Sequence, residues 1–216
     1  MTSRPPLSDA LLFQVFDVKR SRSEERKIKI LEAFIDSIAT RGFDHTSFES
    51  LGKTVGMQRT HVNYYFNSRD ELMTTAIRYA VALGQQITIE HVQKATNWKD
   101  RLKAVVEGPF EWLERYPKHG AVMALFYYLC AYDPNYRKLQ NLIREGGEKR
   151  IVACFQTLVE TGKVSSKKAI EIARTIQSLM AGNIVNYFAA DYPVSLKVVK
   201  ANTVKLAREL IERECE

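Results

Sequence analysis

GMQRTHVNYYF, residues 56–66, sets an Arg, a Thr, a His, an Asn and two Tyr between a glycine and a phenylalanine. Val62 and Phe66, four apart, supply one narrow apolar edge, so the stretch predicts a short helix over about Gln58 to Tyr65 that buries little. Arg59 and Asn63, also four apart, share an exposed face, with Thr60 and His61 beside them. An arginine can donate twice to guanine O6 and N7, and an asparagine can pair both ways with adenine N6 and N7. Such a face is chemically able to read base edges in a major groove. Tyr64, Tyr65 and Arg69 suit phosphate oxygens at the end of this helix, while Thr46, Ser47 and the free backbone N–H groups of the preceding helix suit the other side.

Working outward, local signals divide the chain into helices. Ser21 with Glu24 makes a capping box ahead of Ile28, Leu31, Ile35 and Ile38, and Gly42-Phe43 closes that helix. Thr46 with Glu49 forms a second box, opening a helix that stops at Gly56. A three-residue turn containing Gly56 then leads into the polar helix, which is a helix-turn-helix layout. Ser68 with Glu71 starts a long helix to about Lys94, and Asn97 with Asp100 starts one to Tyr116 that Gly108-Pro109 should kink. Asp133-Pro134, Gly162, Ser165 and Asp191-Tyr192-Pro193 delimit the rest. No strand-period alternation and no internal repeat stand out. The expected fold is all-α, with about nine helices.

ILEAFIDSIATRGFDHTSFESLGKTVGMQRTHVNYYFNSRDELM, residues 30–73, resembles the TetR family of transcriptional regulators. The features that carry the resemblance are a helix ending in Gly-Phe, a Thr-Ser cap, a Gly in the turn, a Tyr-Phe pair, and Ser-basic-acidic-x-Leu. The resemblance implies an N-terminal three-helix DNA-binding domain over residues 23–69 and a helical effector-binding and dimerisation domain over 70–216. It also implies a homodimer on a palindromic operator, most simply a repressor released by a small-molecule effector. Residues 1–22 would form a tail or short extra helix, with Lys19, Arg20 and Arg22 able to reach a minor groove. Four positions depart from the family pattern. Gly52 stands where Ala is usual, Gln58 where a Ser or Thr caps, Asn63 where Tyr is common, and Glu49 at a spot that is often basic. They bear on which operator is read and on how closely the first helix packs, not on DNA binding itself.

Composition agrees with a globular regulator. The chain has 216 residues, 45% of them hydrophobic, enough for a sizeable core. Net charge is +7, and from Ser50 to Arg69 there are Lys53, Arg59 and Arg69 but no carboxylate, a local basic strip of the kind phosphates require. Three scattered cysteines, none in a CxxC pair, and an N-terminus without a long apolar run predict a reduced, cytoplasmic protein. The uncharged stretches 121–132 and 175–190 are too short to span a membrane. His45 and His61 lack metal-ligand spacing, so no metal or other cofactor is expected.

In the C-terminal half, Trp112, Phe126, Tyr127, Phe155 and Met180 are candidates to line an effector cavity. Asn183 and Tyr187 would offer polar atoms to the ligand or to a second subunit. Apolar groups on several faces of 175–190 and on the final helix, among them Ile176, Leu179, Ile184, Phe188, Val199 and Leu206, suggest half of a four-helix dimer interface. Two other classes fit the sequence less well. An enzyme would need a clustered His and carboxylate, which Glu90-His91 and Lys118-His119 do not supply at a working spacing. A protein-interaction scaffold would leave the polar helix without a purpose.

Overall fold

The computed structural model describes residues 21–189 and 194–215. Within them the chain forms ten helices: α1 (Arg22–Arg41), α2 (Phe48–Val55), α3 (Arg59–Tyr65), α4 (Arg69–Val92), α5 (Trp98–Arg115), α6 (His119–Tyr132), α7 (Pro134–Cys154), α8 (Gln156–Glu160), α9 (Ser166–Ala189) and α10 (Leu196–Glu212). The all-α expectation holds, and the helix beyond the expected nine comes from a break at Phe155. Its backbone leaves the helical region at φ −115° and its N–H turns back to Val152 O, while its ring is fully buried. Tertiary burial of that ring outweighs continuation of the helix, and neither glycine nor proline marks the place.

Most helix ends sit where side-chain chemistry puts them. Ser21 and Glu24 close a reciprocal box, so Ser21 and Arg22 belong to the start of α1 rather than to a tail. Ser68, Asn97 and Asp133 each accept a bond from a first-turn N–H, and Pro134 fills the first helical position of α7. The box at α2 falls one residue later than the sequence suggests. Ser47, not Thr46, is the cap, exchanging bonds with Ser50 at 3.1 and 3.0 Å. Thr46 is turned inward: its hydroxyl reaches Gly42 O at 3.0 Å and lies 2.6 Å from the Ser37 hydroxyl. α5 runs through Pro109, which leaves the Val105 carbonyl without its usual helical donor.

Two apolar clusters organise the packing. The first joins α1 (Ile30, Leu31, Phe34), Leu51, Val62 and Phe66 to the first half of α4 (Leu72, Met73, Ile77), and continues into α6 and α7 through Val122, Phe126 and Leu139. The second joins the later part of α4 (Ile87) and α5 (Leu102, Val106, Phe110) to Ile151 and Phe155, α9 (Ile172, Ile176) and α10 (Val199, Ile211). α4 therefore serves both. Apolar packing crosses residue 69, and polar ties reinforce the junction. Tyr79 donates to Glu32 at 3.0 Å, Tyr136 donates to Asp70 at 3.1 Å, and Lys118 pairs with Asp36. At the start of α6, His119 is buried among Tyr79, Trp112 and Tyr116, stacked on the last at 5.0 Å between centroids. Burial pushes its pKa down to about 4. No helix among the described residues is long and apolar enough to cross a membrane.

Candidate nucleic-acid interface and interior cavity

The turn between α2 and α3 is tight because it is built on glycines. Gly56 adopts the left-handed conformation at φ 70°, and Met57 N–H bonds back to Gly52 O at 2.8 Å. A Cβ on Gly52 would stand 2.6 Å from Met57 O, so the departure from the usual Ala allows the returning chain to lie directly on α2. From this turn α3 projects with one buried residue, Val62, followed by buried Phe66 as its anchor. Gln58 caps α3 by backbone alone, the weak start its side chain predicts.

Arg59, Thr60, His61, Asn63 and Tyr64 are exposed, Tyr64 to 81%, while Tyr65 is half-buried and meets Tyr64 edge-on. Among the described residues, no hydrogen bond or ion pair holds the side chains of Arg59, Thr60, His61 or Asn63. The structure narrows the basic strip read from sequence. Lys53 pairs with Glu49 at 2.9 Å, and that bond holds the Glu49 carboxyl below its usual range. Arg69 donates to Phe43 O and lies 4.1 Å above the Phe43 ring, bracing α4 on the end of α1. Thr46, at 2% exposure with its hydroxyl engaged, has nothing to offer a phosphate, whereas Ser47 is exposed.

A cavity of about 150 Å³ lies between α4, α5, α6, α7 and α9. Its walls include Gly84, Gln85 and Thr88, then Val105, Pro109 and Trp112, then Met123 and Tyr127, then Ile143 and Arg150, and finally Gln177, Met180, Ile184 and Phe188. Pro109 of the Gly108-Pro109 segment lines it. α4 and α5 cross so closely here that a Cβ on Gly108 would fall 2.1 Å from the Thr88 hydroxyl. Among the described residues of the wall Arg150 is the one that carries a charge, and burial pushes its pKa down to about 10. Trp112 carries a buried indole N–H with no partner among the described residues.

Of the residues expected at an effector site, Trp112, Tyr127 and Met180 line this cavity. Phe126 and Phe155 do not. They are fully buried in the first and second clusters respectively. Tyr187 packs on the second cluster, and Asn183 donates to Thr203 at 2.8 Å, so its partner is α10 of its own chain. Four residues expected at a dimer interface are turned inward as well. Ile176 and Val199 are buried in the second cluster, while Ile184 and Phe188 face the cavity. Leu179 is half-buried, and Leu206 is 46% exposed. The sequence reading missed Arg150 and Gln177. A charged residue on the stripe Ile143, Gly147, Arg150 and Cys154 was the available signal, since that spacing follows one helix face.

Residues 30–76 match the family model described as bacterial regulatory proteins, tetR family. The HTH-type transcriptional regulator BetI of Burkholderia cenocepacia strain HI2424 is 22% identical over 190 residues, covering 88% of this chain and 93% of the relative. The fatty acid degradation regulator FadR of Bacillus halodurans superposes with a TM-score of 0.73 at 16% identity, covering 88% of this chain and 96% of that one. A transcriptional regulator from Saccharomonospora viridis, solved in complex with choline, superposes with a TM-score of 0.74 at 18% identity, covering 85% and 96%. The head thus matches the tetR family model by sequence, and the chain as a whole shares the fold of these regulators.

Proposed function

We propose that the protein is a repressor that binds a palindromic operator as a homodimer and releases it when a small molecule enters the cavity. The observation that carries this reading is α3 itself, a helix held to the fold by Val62 whose remaining polar side chains face solvent. Residues 23–69, together with the opening of α1, act as the DNA-binding head, and 70–216 as the effector-binding and dimerising body. Arg59 and Asn63 read base edges, flanked by Gln58, Thr60 and His61. Ser47, Tyr64, Tyr65 and the Arg69 side chain border the phosphates. Thr46 contributes by positioning the start of α2, not by contact. Dimerisation uses the outer faces of α9 and α10, where Leu179, Val198 and Leu206 remain accessible. It sets the two reading helices one DNA turn apart, about 34 Å. An effector that prefers another spacing of the heads weakens binding by its differential affinity.

Selection of bound sequences from random duplex DNA tests this. The expected product is a palindrome with half-sites one helical turn apart, bound by a dimer in sedimentation analysis. Its affinity should fall steeply between about 50 and 200 mM salt, as phosphate neutralisation requires. No duplex binding at low salt, or a monomer on a single half-site, would overturn the proposal.

A further inference from the structure

The polar groups of the cavity wall differ in what they leave open to a ligand. Gln85 and Arg150 are engaged within the protein, so neither is assigned a ligand contact. The Thr88 hydroxyl donates to Gly84 O at 2.9 Å, and the Tyr127 hydroxyl meets the Gln140 side chain. The Trp112 indole N–H, without a partner among the described residues, is sealed in by its surroundings. Gln177 on α9 stands apart. It is half-buried, its side chain makes no hydrogen bond to the described residues, and its oxygen and nitrogen are not sealed in. Gly147 on α7 makes room for this amide. A Cβ there would stand 2.7 Å from the Gln177 amide carbon and 2.9 Å from its nitrogen, and closer still to its oxygen, so the planar group lies flat on bare backbone. One face of the amide is thereby covered. Its edge, with one acceptor oxygen and two N–H donors, remains for a partner. Around these polar groups Val105, Met123, Ile143, Met180, Ile184 and Phe188 supply apolar surface. At about 150 Å³ the space matches the scale of a cavity known to hold one benzene ring.

We infer that the cavity binds a neutral compound about one ring in bulk that carries a carboxamide or lactam, its C=O accepting from the Gln177 amide nitrogen and its N–H donating to the Gln177 amide oxygen. This rests on the reading above that the cavity is the effector site. An amide edge sets a donor beside an acceptor at the same spacing as the Gln177 edge itself, so the two pair reciprocally. A ketone has no donor and leaves the Gln177 oxygen unanswered. A carboxylate is acceptor-only and would set one of its own oxygens against that oxygen. In an enclosed site such an unmade bond costs more than a made one contributes.

The test titrates the full-length protein with benzamide and δ-valerolactam, each beside the ketone of matching shape, acetophenone and cyclohexanone, by calorimetry and thermal shift. Benzoate and choline serve as charged controls. At least one amide is expected to bind, and to bind about tenfold or more tightly than its ketone, as for a hydrogen bond whose loss leaves a partner unpaired. Gln177→Met, of similar length but without the amide, should abolish that preference. Gly147→Ala, which sets a methyl group where the amide lies, should weaken it with Gln177 still present. Circular dichroism confirms that the variants fold, and the comparison of amide with ketone on the parent protein stands without them. No binding by either amide, amides held no more tightly than their ketones, benzoate or choline bound in preference, or a preference that survives either substitution in a folded protein would overturn the inference. Release of the selected operator is measured separately. An amide that binds without releasing DNA sinks the effector reading alone, whereas release by some other compound with no amide bound sinks the inference alone.

Discussion

The head and the body place the same side chain in opposite settings. Arg59 stands in water on α3 with no bond to the other described residues, whereas Arg150 lies on α7 against a cavity, its charge partly stripped of solvent. In the head, the buried face of α1 (Ile30, Leu31, Phe34) with Leu51, Val62 and Phe66 makes a frame that holds a polar surface outward. In the body, five helices enclose a small space and turn a few polar groups into it. A long polyanion must be met on a surface, and many solvated contacts then add up to affinity. A small ligand offers few atoms, so each contact has to be made strong by excluding water.

The double variant Arg59→Ala with Asn63→Ala tests the head's side of this contrast and should have the largest effect. Each lost base contact costs about 1–3 kcal/mol, so affinity for the selected operator should fall about 10²- to 10⁴-fold in fluorescence anisotropy. Its melting temperature should stay within a degree or two of the parent, because neither side chain is buried. A loss of less than about tenfold would mean that the exposed face of α3 is not the reading surface.

On the body's side, His119 carries a pH signature. Its folded pKa of about 4 lies below the ordinary 6.5, so at intermediate pH the unfolded chain takes up a proton that the folded chain refuses. Stability should therefore decline as pH falls from about 6.5 to 4, by at most about 3 kcal/mol, and level off below. His119→Phe, followed by urea unfolding across that range, should remove this part of the slope. An unchanged slope would show that His119 is not the group responsible.

Gly52→Ala has the smallest expected effect and falls on the frame of the head. The added methyl group would meet Met57 O, and relieving the clash should cost about 1–3 kcal/mol, read as a fall in melting temperature. Should the variant be as stable as the parent, the close return of the turn over α2 would not be a real constraint.

The head was legible in the sequence because its determinants are local. Ser21 and Glu24, Ser68 and Glu71, Gly56 and the Val62–Phe66 edge each act within a few residues, and their order alone points to the family fold. Thr46 shows the limit of local reading. Its spacing from Glu49 fits a cap, but its hydroxyl is claimed by Ser37 and Gly42, a contact that exists only once α1 and α2 are packed. The body depends on such packing throughout. Ile184, Phe188 and Leu206 look alike as apolar residues on helices, and only the placement of the other helices sends two of them to the cavity and leaves the third in solvent. The break at Phe155 is equally nonlocal, and the proposed basic arm at Lys19 and Arg20 lies outside the described residues.

The crossing of α4 and α5 restricts how this chamber can change over generations. Where Gly108 meets Thr88 there is room for a hydrogen atom and nothing larger, so the two rods are riveted at that point. Descendants that recognise a bigger or smaller compound would then arise by trimming or enlarging residues such as Met123, Ile143 or Met180, with the rivet itself left in place.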